Sequence, residues 1–244
     1  MRKDLTSYTA HNKDYKTVFN LENSIKRIEE YDKENSFQRL GFQSIVEKVS
    51  KKITTHIDVG CGTGWLVRKT SPYFKNVIGI EPSSDAIESA RKITKNLRNI
   101  TFINKDMIDG FEELRPAEPV FITTATVLTH IKDFYERDFL HILNTLPMKS
   151  ALYFDEPYGK NIQQRLWHVR SKEWWARNLR DWDITFLDNK NTIYTNGIYA
   201  EKVGSNNVKN LYKTRIIEKI TWFTDGIINK IKGLYRVMRR MFLK

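Results

Sequence analysis

Cysteine is almost absent: Cys61 is the single one in 244 residues. That excludes a disulfide scaffold and a cysteine-based metal cluster, and it makes the reducing cytoplasm the expected compartment. Long apolar runs are missing as well. No stretch approaches the ~18 uninterrupted apolar residues of a membrane span. The opening Met1-Arg2-Lys3-Asp4-Leu5-Thr6 has no apolar segment of the kind that marks a secretory signal. Acidic residues are in deficit, 29 Asp and Glu against 41 Lys and Arg, so the net charge is +12. What is present suffices for a core: 40% hydrophobic and 12% aromatic residues are too many for a disordered chain and enough for an α/β domain of this length.

A basic excess suggests a nucleic acid or an anionic membrane as partner, although abundant Lys, Asn and Ile would also follow from a compositional bias of the coding sequence. The position of the charge narrows this. Residues 205–244 hold ten basic and two acidic side chains and net +8, leaving +4 for everything before them. In that tail Ile216, Ile220, Phe223, Ile227, Ile231, Leu234, Met238 and Met241 recur at steps of three or four, one face of a helix. Residues 211–244 therefore read as a basic amphipathic helix, suited to an anionic membrane surface at the inner face. Packing on the domain or on a second subunit is the alternative, and RNA contact ranks below both.

The remainder alternates strand and helix. A helical stretch is expected from Thr17 to Ser50, with Ile25, Ile28, Phe42, Ile45, Val46 and Val49 buried. Strands follow at Thr54–Val59, Asn76–Glu81, Ile100–Ile103, Pro119–Thr124 and Ala151–Phe154, with helices at Trp65–Thr70, Ser84–Asn96 and Lys132–Leu146. This rhythm predicts a parallel sheet with helices on both faces. Two further strands, Asp183–Leu187 and Thr192–Val203, are joined by a hairpin-type turn and close the sheet with an antiparallel pair. The expected organisation is an N-terminal helical cap over 1–50 and a catalytic domain over 51–204. Residues 156–180 of that domain form a substrate-covering insertion, and the tail spans 205–244.

The sharpest local signal is Asp58-Val59-Gly60-Cys61-Gly62-Thr63-Gly64, between the first strand and the following helix. Glycines there allow a tight turn and close approach of a ligand. Glu81 ends the second strand, where a carboxylate reaches the two hydroxyls of a ribose. Gly60-x-Gly62-x-Gly64 is not the dinucleotide spacing, so a pyrophosphate is disfavoured.

Together with Gly79-Ile80-Glu81-Pro82-Ser83 and Asn104-Lys105-Asp106-Met107, this turn resembles the class I S-adenosylmethionine-dependent methyltransferases over roughly Ser44 to Val203. The resemblance implies a Rossmann-like three-layer sandwich with a mostly parallel seven-stranded sheet, and S-adenosyl-L-methionine as cofactor. It also implies roles: Gly60, Cys61, Gly62 and Gly64 against the methionine moiety, Asp58 near its amino group, Glu81 on the ribose, Asp106 on the adenine amino group and Met107 beside the ring. The stretch Ile122–Ile131 is similar to the one that small-molecule methyltransferases place beside the methyl group. It lacks the Asn/Asp-Pro-Pro-aromatic signature of amino-group methylation. Asp155-Glu156-Pro157-Tyr158 imitates it only superficially, with one proline and in the wrong place. No Pro-Cys pair offers a thiolate route, and Cys61 reads as packing.

For a hydroxyl nucleophile a general base helps. His130, after the fourth strand, is the first candidate and Glu156 the second, each against a purely structural role; Tyr158, His168, Tyr8 and His11 are weaker. Tyr158, His168, Arg170 and Trp174 are the candidate substrate contacts, since aromatics with Arg suit a sugar or an anionic group. Ser171 is placed to cap a helix carrying Trp174 and Trp175, whose tryptophans would otherwise complete the core. No metal site is expected. The sequence favours methyl transfer to a hydroxyl of a small-molecule or glycan-like acceptor, free or membrane-linked. An RNA methyltransferase and a non-catalytic membrane-associated protein of this fold are the alternatives.

Overall fold

The computed structural model describes residues 21–34, 36–39, 41–128, 133–156, 170–187 and 196–203. The amphipathic tail, and with it the proposed membrane surface at 211–244, lies outside the described residues. Among the described residues no helix is long and apolar enough to cross a membrane.

Three N-terminal helices, α1 (Leu21–Lys33), α2 (Ser36–Arg39) and α3 (Phe42–Val49), fill most of the stretch expected to be helical. Gly41 separates the last two. Its φ of 79° is left-handed, and a Cβ there would sit 3.0 Å from the Tyr153 hydroxyl. Ile28, Phe42, Val46 and Val49 are buried as the periodicity requires, whereas Ile25 is 44% exposed, contrary to the expectation. Asp32 fastens α1 to the helix after the glycine turn, accepting from the Trp65 indole at 3.3 Å and pairing with Arg68 at 2.6 Å.

Beyond them run β1 (Thr55–Val59), α4 (Trp65–Thr70), β2 (Asn76–Ile80), α5 (Ser84–Ile93), β3 (Ile100–Ile103), α6 (Met107–Leu114), β4 (Val120–Ala125), α7 (Asp133–Thr145), β5 (Ala151–Glu156), α8 (Lys172–Asn178), β6 (Trp182–Leu187) and β7 (Asn196–Lys202). The seven strands form one sheet in the order β3-β2-β1-β4-β5-β7-β6. The first five are parallel; β7 runs antiparallel to both β5 and β6. The expected mixed sheet with its antiparallel end is therefore the observed one, although the turn joining β6 to β7 lies outside the described residues.

Alternation along the buried strands builds two cores. Ile57, Val59, Ile122, Leu152 and Phe154 face one side with Leu143 and Trp175. Val77, Phe121 and Tyr153 face the other with Phe42 and Val46. The N-terminal helices thus pack directly on the sheet. Val59 of β1 is level with Ile80 of β2 and with Thr124 of β4. The carboxyl ends of the central strands therefore share one edge, where ligands bind in sheets of this kind.

One helix escapes the sequence reading. α6 is only eight residues long with Gly110 inside it. Asp106 caps it, accepting through Oδ1 from the Ile108 and Asp109 amides at 2.8 and 3.0 Å. That cap, followed by Met107, Phe111 and Leu114 at helical spacing, was the available signal.

Candidate active site

The site grows from the turn after β1. Gly60, Gly62 and Gly64 all take positive φ, at 70°, 51° and 79°, which only glycine adopts without strain. The Gly60 and Cys61 amides both donate to the Ile80 carbonyl, tying the turn to the end of β2. The Gly62 amide donates to Glu81 Oε2 at 3.1 Å, and the Ser83 amide to Glu81 Oε1 at 3.0 Å. Glu81 is thereby held at the end of β2, buried to 6% exposure. Burial lifts its carboxyl above the ordinary range, and the two amides oppose that rise.

Asp58 lies on the adjacent strand. Thr123, its cross-strand partner on β4, donates to Asp58 Oδ1 at 2.7 Å. Burial pushes the Asp58 carboxyl up to about 7, Thr123 holds it down in part, and the nearby Glu81 charge adds to the rise. Cys61 is buried within reach of both carboxyl charges. Desolvation, then Asp58 and Glu81, push its thiol up, which makes it a poor nucleophile. Its sulfur instead packs on the strand. A Cβ added at Gly79 would fall 2.6 Å from Cys61 Sγ and 2.8 Å from Phe102 Cδ1. Gly79→Ala is accordingly expected to cost ~1–3 kcal/mol through overpacking and to lower the melting temperature by several degrees. An unchanged thermal melt would show that sulfur and ring yield freely.

These groups fit a ribonucleoside carrying an amino-acid end. A glycine turn permits close approach, one buried carboxylate suits an ammonium and another suits a pair of hydroxyls. Asp106 spends Oδ1 on its helix, and it is only half-buried, as is Met107 beside it.

A family model described as a methyltransferase domain matches residues 21–194, more than half of the chain. The chain belongs to the class I S-adenosylmethionine-dependent methyltransferases. S-adenosylmethionine is its cofactor, and it supplies a methyl group activated on a sulfonium. The non-catalytic reading of the sequence gives way to an enzyme.

Over 75 residues the methyltransferase is 39% identical to the yeast Saccharomyces cerevisiae protein named "Probable S-adenosylmethionine-dependent methyltransferase CRG1", a match spanning 30% of this chain and 25% of that one. Over 73 residues it is 40% identical to an "Uncharacterized RNA methyltransferase" of Clostridium tetani, covering 29% of this chain and 16% of that one. The matches thus span a quarter or less of those relatives' own lengths. Among solved structures, the magnesium protoporphyrin IX methyltransferase ChlM of Synechocystis shares the fold at a TM-score of 0.58 and 14% identity, over 84% of this chain and 100% of that one. The amino pentose methyltransferase CalS10 of Micromonospora echinaspora does so at 0.55 and 13%, over 68% and 90%.

Glu156 and Arg170, expected on the acceptor side, are both engaged within the protein. Glu156 is the last residue of β5 and is 1% exposed. Its Oε1 accepts from the Thr124 hydroxyl at 2.8 Å and from the Val127 and Leu128 amides at 2.9 and 3.0 Å. Burial lifts this carboxyl to about 7, those three donors oppose the rise, and Asp155 adds to it. Glu156 is a latch on the segment after β4.

Arg170, expected on the substrate, is likewise committed. Its Nε donates to Glu136 Oε1 and its Nη1 to the Leu128 carbonyl, both at 2.7 Å. The guanidinium lies 5.2 Å over the Trp174 ring and is nearly buried. Trp174 is half-buried and meets Trp175 edge-on at 4.9 Å, while Trp175 belongs to the core. Ser171 caps α8 as expected, accepting from the Trp174 amide. The adjoining cavity has an empty volume of about 210 Å³ including its open mouth, small for a sugar-sized acceptor. His130, Tyr158, His168, Tyr8 and His11 lie outside the described residues.

Sequence reasoning missed Thr123 and His56. His56 is fully buried between the rings of Phe74 and Phe121 at 5.3 and 5.2 Å. Two residues before Asp58 on β1, it shares the same sheet face, which was the one signal available.

Proposed function

We propose that this methyltransferase transfers its methyl group to a hydroxyl of a small-molecule or glycan-like acceptor, with His130 as the general base. The observation that carries the reading is the composition of the end of β4 and the segment after it. Thr124-Ala125-Thr126-Val127-Leu128 offers neither the amide nor the aromatic that holds an amino-group acceptor, and Glu156 consumes the Val127 and Leu128 amides. In-line displacement then depends on alignment of the acceptor oxygen, which positioning alone accelerates strongly, and on a base to take its proton, worth typically ~10²–10⁴-fold. CalS10, an amino pentose methyltransferase by name, supports a sugar-like acceptor on this fold without favouring oxygen over nitrogen.

The second reading is an RNA acceptor, favoured by the Clostridium tetani relative and by the +8 carried by residues 205–244. The membrane-surface role of 211–244 and the cytoplasmic, inner-face location belong to the first reading. Radiolabelled S-adenosylmethionine offered with a fractionated lysate separates the readings. Label in a small-molecule, glycan or lipid fraction, on oxygen by mass spectrometry and lost in His130→Ala, is the expected result. Label in RNA, with binding that weakens steeply with salt, overturns it.

A further inference from the structure

The side chains behind the cofactor turn form an unbroken polar line across the sheet. Asp58 Oδ1 lies 2.7 Å from Thr123 Oγ1, and Thr123 Oγ1 lies 2.8 Å from His56 Nε2. His56 Nδ1 lies 2.8 Å from Thr70 Oγ1, which reaches the Leu66 carbonyl at 3.0 Å. All four side chains are 3% exposed or less. Desolvation drives His56 down to about 3, so its ring is neutral, with one donor and one acceptor nitrogen. A hydroxyl has one proton to give. Two self-consistent ways to order the line differ in whether Asp58 Oδ1 carries a proton.

With Asp58 ionised, Thr123 donates to the carboxylate and must accept from His56 Nε2–H. His56 Nδ1 then accepts from Thr70, which lets go of Leu66. With Asp58 protonated on Oδ1, every bond reverses. The acid donates to Thr123, Thr123 donates to Nε2, Nδ1–H donates to Thr70, and Thr70 donates to the Leu66 carbonyl. The proton lost from Asp58 on ionisation goes to solvent, and the imidazole changes tautomer without gaining charge.

We propose that Thr123 and His56 are positioning residues that set the charge state of Asp58, and through it the affinity of the site for the amino-acid end of S-adenosylmethionine. The proposal rests on the reading of Asp58 as the residue beside the cofactor's ammonium; it is independent of the acceptor. Among the described residues, Glu81, across the turn, and the buried Cys61 are the titratable groups on the other elements around Asp58. Glu81's negative charge opposes ionisation of Asp58, which leaves Thr123 as the hydrogen bond that favours it.

The test is calorimetric titration of the full chain between about pH 5.5 and 8.5, with S-adenosylmethionine and with 5′-methylthioadenosine, which lacks the amino-acid end. Affinity for S-adenosylmethionine should rise with pH through about 7. Removing a hydrogen bond to a charged group, ~1.5–3 kcal/mol, moves that midpoint up by about one to two pH units. Thr123→Val should therefore bind S-adenosylmethionine roughly 5- to 50-fold more weakly near neutral pH, with the gap closing as pH rises. Thr123→Ser should restore the wild-type profile, and methylthioadenosine should bind both proteins equally. An unshifted profile in Thr123→Val, or an equal loss for methylthioadenosine, overturns the proposal. A second measurement needs no variant. The ¹⁵N shifts of the His56 ring in the wild-type protein should move from Nδ1–H at low pH to Nε2–H above about 7, and a tautomer constant across that range is equally fatal to it.

Discussion

Glu81→Ala is expected to raise the dissociation constant for S-adenosylmethionine at least about a hundredfold while the sheet stays folded. Two hydrogen bonds from ribose hydroxyls to a carboxylate are worth ~1.5–3 kcal/mol each, and their joint loss exceeds two decades of affinity. The fold bears the change because the side chain stands at the strand's end, outside the β2 ladder. Its structural partners are the Gly62 and Ser83 amides, and the removed carboxyl was itself held at a burial cost. Its removal also takes a repelling charge away from Asp58, so any pH midpoint of residual binding should move down. Calorimetry beside a thermal melt separates the two effects. Wild-type affinity in the variant would place the ribose elsewhere; a collapsed melt would make Glu81 a brace for the turn first and a ligand second.

The largest stability effect belongs to Glu156→Ala. Three donors lose their acceptor at once: the Thr124 hydroxyl and the Val127 and Leu128 amides. Buried donors left unpaired cost ~1–3 kcal/mol apiece, so a fall in melting temperature on the order of 10 °C follows for a chain of this size. Glu156→Gln keeps an acceptor oxygen at the same place and should restore most of that loss. Its pH dependence has a definite sign. The folded carboxyl is raised from 4.5 to about 7, so its contribution is complete below the unfolded value and is lost as pH rises through about 7. The Gln variant has no such proton to lose, and its melting temperature should gain on the wild type as pH climbs from about 4.5 to about 7, with the difference levelling off above that. Turnover retained in Glu156→Gln marks a latch. Turnover abolished with fold and cofactor affinity intact would return Glu156 to the role of base that its sequence position suggested.

Local chemistry made much of this legible in advance. Apolar strands, a glycine turn and an acid at the next strand's end are written in consecutive residues, and β1 to β3 with Asp58, Gly60–Gly64 and Glu81 stand where those patterns place them. What stayed hidden depends on partners far away in the chain. Gly41 divides a stretch whose periodicity runs on through it, against a tyrosine hydroxyl from β5. The Trp and Arg residues around 165–177 have the composition of a binding surface, yet Arg170 is claimed by Glu136 and by a carbonyl 42 residues earlier. Thr123 gains its meaning only from the β1–β4 register, 65 positions from the carboxylate it serves.

The bare Cα of Gly60 has a mechanical consequence. A Cβ there would stand 2.4 Å from Val127 Cγ2, so the cofactor turn and the segment beyond β4 touch with no slack between them. The turn is tied to β2 through the Ile80 carbonyl, and the segment is tied to β5 through Glu156. At this point the two flanks of the sheet are geared together. A ligand that displaces the glycine turn therefore presses on Val127 as well, and the strain passes from the end of β2 to the end of β5 through the Glu156 contacts.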